Sequence, residues 1–192
     1  MKKYQPIKKI INNHFDLRKT TLKFDKKIFH ISEKLIKTLK KNSCIFWCGN
    51  GGSAADAQHL SAELVGRFEK ERIALRSIAL NTDTSALTAI ANDYDYKKIF
   101  SRQLEGLSKN GDALVVFSTS GNSKNIIDVL KTAKNKKILS IGIFGNNGGK
   151  AKKYCDEDIS LPISNTARIQ EVHILIGHII CYLIEKKIIK KK

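Results

Sequence analysis

Cys44-Ile45-Phe46-Trp47-Cys48-Gly49-Asn50-Gly51-Gly52-Ser53-Ala54-Ala55-Asp56-Ala57-Gln58-His59-Leu60-Ser61-Ala62-Glu63-Leu64 is the stretch on which the reading of this chain turns. Its first five residues are a short apolar run bounded by glycine, the pattern of a buried parallel strand. Gly49, Gly51 and Gly52 then allow a tight turn and a close approach of backbone to a ligand. Ser53 opens an alanine-rich helix whose first N–H groups lack partners within the helix, so strand, turn and helix start together make an anion site. His59 and Glu63 follow at i and i+4, placing an imidazole and a carboxylate on one helix face about one turn apart. The turn is neither GxxxxGK[ST] nor GxGxxG, and a His-x-x-x-Glu pair also occurs as a plain surface contact. The two gain weight from lying together just beyond a strand's C-terminal end.

Working outward toward the C-terminus, strand and helix patterns alternate. Residues 76–80, 113–117, 138–144 and 158–162 read as further strands. Asn81-Thr82-Asp83-Thr84 reads as a turn and cap, and 97–108 as a helix turning Ile99, Phe100, Leu104 and Leu107 inward. A helix to about residue 134 follows the third strand, and 166–187 form one long apolar helix. Near-continuous apolar strands separated by helices specify an α/β fold: a three-layer, doubly wound parallel sheet of about five strands. Ligands in such folds bind at the carboxyl ends of strands where the winding reverses, and the Gly/Ser/Asn clusters all fall at strand ends.

Toward the N-terminus, residues 1–42 read as a helical segment and 43–192 as one α/β domain. Ile7, Ile10, Ile11 and Phe15 fall at helical spacing, as do Ile28, Ile31, Leu35 and Leu39. Asn12-Asn13 marks a soft break and Asp16 a cap for the second helix. The apolar positions cover more than one stripe, which points to burial against another subunit as well as against the chain's own domain.

Composition narrows the function classes. No apolar run approaches the roughly 20 residues of a membrane span, and the N-terminus lacks the apolar core of a signal peptide. Cys44, Cys48, Cys155 and Cys181 form no CxxC pair, so a reduced, cytoplasmic protein without a membrane partner is expected. The formal charge of +17 raises a nucleic-acid reading, but residues 1–41 carry +10 of it and residues 185–192 carry +4. Arginine is scarce among those charges and Phe15, Phe24 and Phe29 fall at helical apolar spacing, so no specific nucleic-acid partner is expected, and solvated helix faces are the plainer account.

Ser118-Thr119-Ser120-Gly121-Asn122-Ser123 is a second oxyanion candidate, with four hydroxyls and no acid ahead of a helix. Hydroxyls and backbone amides can hold phosphate without Lys or Arg, helped by the helix dipole. The alternatives are a polar turn with an N-cap, or a nucleophilic serine, for which neither GxSxG nor a paired base is present. On the last helix, Gln170 and His178 are eight apart and share a face. His173 either joins them or points into the core. His59, Glu63, Gln170 and His178 together make a candidate four-ligand metal site, for which zinc is the economical choice.

These motifs resemble the SIS (sugar isomerase) family, and within it the sedoheptulose 7-phosphate (phosphoheptose) isomerases. The resemblance rests on Cys48 to Ser53, the Gln58-His59 to Glu63-Leu64 spacing, Ala91-Asn92-Asp93, the 118–123 loop and Arg168-Ile169-Gln170-Glu171-Val172-His173. It implies a flavodoxin-like SIS domain with N-terminal helices for oligomerisation into a homotetramer. It further implies that Ser118, Thr119, Ser120 and Ser123, with Ser53, hold a phosphate, and that Asn50, Gly51, Gly52, Asn92 and Asp93 line a sugar. His59, Glu63, Gln170 and His178 would bind one zinc per subunit, with Glu63 and Gln170 also touching substrate. Some family members carry His-Cys where this chain has Ala54-Ala55. The implied reaction turns sedoheptulose 7-phosphate into D-glycero-D-manno-heptose 7-phosphate through a cis-enediol, with Glu63 as base and His178 as acid–base partner. Its product would serve lipopolysaccharide core or capsule. A non-catalytic SIS module, binding a sugar phosphate or resembling the DnaA initiator-associating protein, is the alternative.

Overall fold

The computed structural model describes residues 4–189; the outermost residues of both assigned segments, 1–3 and 190–192, lie outside that range. Five strands, β1 (Ile45–Gly49), β2 (Ser77–Ala79), β3 (Ala113–Ser118), β4 (Leu139–Phe144) and β5 (Glu157–Ser160), form one parallel sheet in the order β2-β1-β3-β4-β5. The helices are α1 (Gln5–Leu22), α2 (Asp25–Lys40), α3 (Gly52–Val65), α4 (Thr84–Asp93), α5 (Ser101–Leu107), α6 (Lys124–Asn135) and α7 (Thr166–Ile188). The expected three-layer, doubly wound sheet is the one observed.

Alternation along the buried strands feeds two cores. Ile45, Trp47, Val115 and Phe117 face α2, α3 and α7, whereas Phe46, Cys48, Leu114 and Val116 face α5 and α6. Each such side chain contributes roughly 1.5–3 kcal/mol by leaving water. Trp47, the largest of them, stacks on Phe117 at 6.2 Å and donates its indole N–H to Ser77 Oγ at 2.8 Å, so its polar atom is satisfied inside the core. The winding leaves β1 toward β2 on one side and toward β3 on the other, opening a crevice at their carboxyl ends. Gly49 pairs with Phe117 and Ser118 with Phe144, which sets the loops after β1, β3 and β4 at one level.

α7 is long and apolar enough to cross a membrane by length and composition. Here it is a core helix: Ile169, Val172, Ile176, Ile180 and Ile184 are buried, and it packs against α2 and α3. α2 belongs to the same core through Ile28, Ile31, Leu35 and Ile36, while α1 lies along α7 with Ile7, Ile10, Ile11 and Phe15 exposed.

Three expectations need correction. α1 runs unbroken through Asn12, Asn13 and Asp16, so Asp16 caps nothing, and α2 begins at Asp25 after a turn at Lys23-Phe24. An interior Asn costs a helix only about 0.7 kcal/mol, too little to end it without Gly or Pro. The helix ends instead past Thr20-Thr21, β-branched residues of low helix propensity, where the Thr21 hydroxyl bonds back to the Leu17 carbonyl. Leu107 is 55% exposed: α5 begins only at Ser101 and Leu107 is its last residue, at the helix end rather than turned inward. Ile99, Phe100 and Leu104 are buried as expected.

Candidate active site

Three pieces meet around the carboxyl end of the sheet. The first is the turn after β1. Gly51 adopts φ +57° at the N-cap of α3, a conformation that disfavours side chains, and a β-carbon at Gly49 would sit 2.5 Å from the Ser53 carbonyl oxygen. Both glycines are therefore required by the turn. Asn50 exchanges amide hydrogen bonds with Asn125 at 2.9 and 2.8 Å and accepts a third from the Tyr96 hydroxyl at 3.3 Å. This ties the turn after β1 to the start of α6, across the point where the winding reverses.

The second piece is the 118–123 loop. The Ser118 hydroxyl is buried and accepts the Gly121 N–H at 3.1 Å, and Ser120 Oγ accepts the Asn122 N–H at 3.1 Å. Gly121 has φ +62°, and a β-carbon there would lie 2.2 Å from the Gly148 carbonyl oxygen, so the loops after β3 and β4 press together. Ser123 precedes α6 without capping it through its side chain. The Thr119 and Ser123 hydroxyls thus have no hydrogen bond among the described residues, beside a helix start that favours anions.

The third piece is the groove between α3 and α7, which run alongside each other in the same direction. A β-carbon at Gly52 would lie 2.4 Å from Gln170 Nε2, and one at Gly177 would lie 2.3 Å from Leu60 Cδ1, so small residues set the close approach. Further along, His59 Nε2 is 3.1 Å from Glu63 Oε1 and 3.0 Å from His178 Nε2. One donor atom from each of the three lies within 4.8 Å of the others. A tetrahedral zinc with bonds of about 2.0–2.1 Å holds neighbouring donors about 3.3 Å apart, so this nitrogen–nitrogen–oxygen set fits a first-row divalent ion. Gln170 occupies the same face of α7 two turns earlier, about 12 Å along the helix from His178, with its amide against Gly52. Three of the four expected ligands are gathered in one chain, and Gln170 stands nearer the oxyanion loops.

His173 resolves to the core. It is fully buried, its ring lies 5.7 Å from that of Phe117, and burial pushes its pKa down to about 4, so it is a neutral interior side chain. Asn92 and Asp93 bond to each other at 2.8 Å on the exposed last turn of α4. They make no hydrogen bond to the other candidate residues among those described. Asp56, one turn before His59, is a residue that sequence reasoning misses. It is 9% exposed, its Oδ2 has no partner, and burial pushes its pKa up to about 6 against the opposing pull of His59. Its i−3 spacing from His59 is a visible signal; the pairing of Asn50 with Asn125, 75 residues apart, has no local one.

Comparison with known proteins identifies the family and the fold. The SIS domain family model matches residues 16–145. The chain is 54% identical over 161 residues to the phosphoheptose isomerase of a Nitratiruptor species, covering 82% of this chain and 86% of that one. It is 48% identical over 191 residues to the phosphoheptose isomerase of Sulfurimonas denitrificans, covering 98% and 97%. Among solved structures, the phosphoheptose isomerase of Neisseria gonorrhoeae superposes with a TM-score of 0.90 at 38% identity, covering 95% of this chain and 98% of that one. That of Francisella tularensis gives 0.93 at 30% identity, covering 97% and 100%.

Proposed function

The chain belongs to the phosphoheptose isomerases of the SIS-domain family, and from that premise we propose that it interconverts sedoheptulose 7-phosphate and D-glycero-D-manno-heptose 7-phosphate at the α3–α7 groove. The observation that carries the assignment of the site is the convergence of His59, Glu63 and His178 from two helices, with His59 and His178 119 residues apart in sequence. A module that only binds a sugar phosphate has use for the 118–123 loop but none for this cluster.

The substrate is a ketose with its carbonyl at C2, and the product an aldose with its carbonyl at C1. The change moves one proton from C1 to C2 and another from the C1 oxygen to the C2 oxygen, through a cis-enediol. Glu63 takes the C1 proton and returns it to C2. His178 moves the proton between the two oxygens. Ser118, Thr119, Ser120 and Ser123, with Ser53, hold the phosphate, so binding energy at the remote end becomes orientation at C1 and C2. Asn50, Gly51, Gly52, Asn92, Asp93 and Gln170 line the sugar between these ends. His59, Glu63 and His178 are the residues gathered to hold zinc, one per subunit, and Gln170 is the fourth ligand that the family resemblance implies. Bound there, zinc would supply Lewis acidity toward the carbonyl oxygen, typically several kcal/mol of charge stabilisation.

The protein works as a cytoplasmic homotetramer in heptose supply for lipopolysaccharide core or capsule. Support for self-association comes from the exposed Ile7, Ile10, Ile11, Phe15, Leu22 and Phe29 on α1 and α2, large apolar side chains of the kind that mark an interaction surface. The test of the activity is direct. The purified chain incubated with sedoheptulose 7-phosphate is expected to form the aldose, more slowly after chelation and again at full rate once zinc is restored. No aldose from the zinc-loaded protein would refute the assignment.

A further inference from the structure

The chain between α3 and β2, residues 66–76, has no helix or strand, yet it is pinned by one buried ion pair. Glu185, near the end of α7, is 2% exposed. Its Oε1 accepts the Phe68 N–H at 3.3 Å, and its Oε2 accepts those of Glu69 and Lys70 at 2.9 and 3.0 Å. Three consecutive backbone N–H groups converging on a carboxylate make an anion nest within the fold. Arg72 lies alongside, with Nε 3.4 Å from the same Oε1 and both side chains 3% exposed. Its guanidinium donates to the carbonyls of Glu63 at 2.6 Å, Leu64 at 2.8 Å, Gly66 at 3.3 Å and Ile73 at 2.9 Å. It thereby closes the C-terminal turn of α3, whose last carbonyls have no partners within the helix.

Both halves of the His–Glu cluster hang from this pair. Arg72 holds the backbone carbonyl of Glu63 itself. The nest fixes Phe68, whose ring packs on the His178 imidazole at 5.7 Å between centroids and 32° between planes. With His59 at the tip of His178 and Phe68 against its ring, little freedom is left for the imidazole.

We propose that Glu185 and Arg72 are positioning residues for the Glu63–His178 pair, acting through Phe68 on His178 and through the end of α3 on Glu63. The inference rests on the isomerase reading of that site. Groups behind a metal ligand that fix its orientation typically change metal affinity 10–100-fold when altered, so the effect is readable without turnover.

The experiment compares Phe68→Ala, Phe68→Tyr and Glu185→Gln with the wild type in Zn2+ affinity of the metal-free protein, kcat and KM for sedoheptulose 7-phosphate, and melting temperature. Phe68→Ala is expected to weaken Zn2+ binding about tenfold and to lower kcat by a similar factor, with KM within twofold. Phe68→Tyr, which keeps the ring, is expected to restore both. Glu185→Gln is expected to follow Phe68→Ala; should it fail to fold, the two Phe68 variants decide. Wild-type Zn2+ affinity and kcat in Phe68→Ala, with only a lower melting temperature, would overturn the proposal and leave the pair a purely structural role. Weakened Zn2+ binding in variants of a protein without isomerase activity would uphold the positioning and refute the isomerase reading alone. A wild type that binds no Zn2+ would overturn the positioning proposal and leave the isomerase reading to the conversion of sedoheptulose 7-phosphate.

Discussion

His59 on α3 and His178 on α7 bring their Nε2 atoms to 3.0 Å, with Glu63 Oε1 3.1 Å from the first. Two imidazole tips facing each other with a carboxylate beside them make a three-donor set for one shared metal cation. The His178→Ala variant is expected to lose Zn2+ affinity at least 100-fold by calorimetry, with the far-ultraviolet spectrum unchanged. Unaltered affinity would place the metal elsewhere.

Gly52 and Gln170 give a test that leaves every polar group in place. The β-carbon of Gly52→Ala would meet the Gln170 amide at 2.4 Å, and the amide is the free end of a flexible side chain, so it can move aside. Alanine favours a helix over glycine by about 1 kcal/mol, which offsets part of the crowding. The variant should therefore melt within a few degrees of the wild type while kcat/KM falls about tenfold or more. Unchanged kinetics would remove Gln170 from the site.

Much of this site is legible along the chain because its chemistry is written in short local patterns. The apolar run before Gly49 marks a buried strand, the His59/Glu63 spacing a shared helix face, and the hydroxyl cluster at 118–123 the second anion loop. What is not legible depends on distance. Nothing near Glu185 shows that it closes a nest at Phe68, Glu69 and Lys70, more than 100 residues earlier. Nothing near Asn50 points to Asn125. The α1–α2 boundary misleads for the opposite reason: Asn12 and Asn13 look like helix breakers, and their propensity penalty is too small for that.

Asp56 links the site to pH. Burial raises its folded-state pKa from 3.8 to about 6, so folding favours the protonated form. The unfolded chain then binds fewer protons between those values, and stability falls as pH rises from 3.8 through about 6. Asp56→Asn, which removes the charge, should stabilise the protein by about 1–2 kcal/mol at pH 7.5. That gain should vanish near pH 4. An equal gain at both pH values would show that the benefit does not come from relieving a buried carboxylate.

Phe15 is 68% exposed on α1, in line with Ile7 and Ile11. In the proposed homotetramer this face would be covered, so Phe15→Asp should reduce the mass found by sedimentation from about four times the 21.6 kDa chain toward that of smaller species. A wild type that sediments as a monomer would rule out the proposed assembly.

The assignment of the groove between α3 and α7 as the reaction site stands most directly on Glu63. The measurement is the rate at which Glu63→Gln converts sedoheptulose 7-phosphate, taken beside its melting temperature. Loss of at least 1,000-fold in kcat from a protein that melts like the wild type is the expected result, since general-base groups contribute about 10²–10⁴. Turnover within tenfold of the wild type would show that the C1 proton leaves by another route.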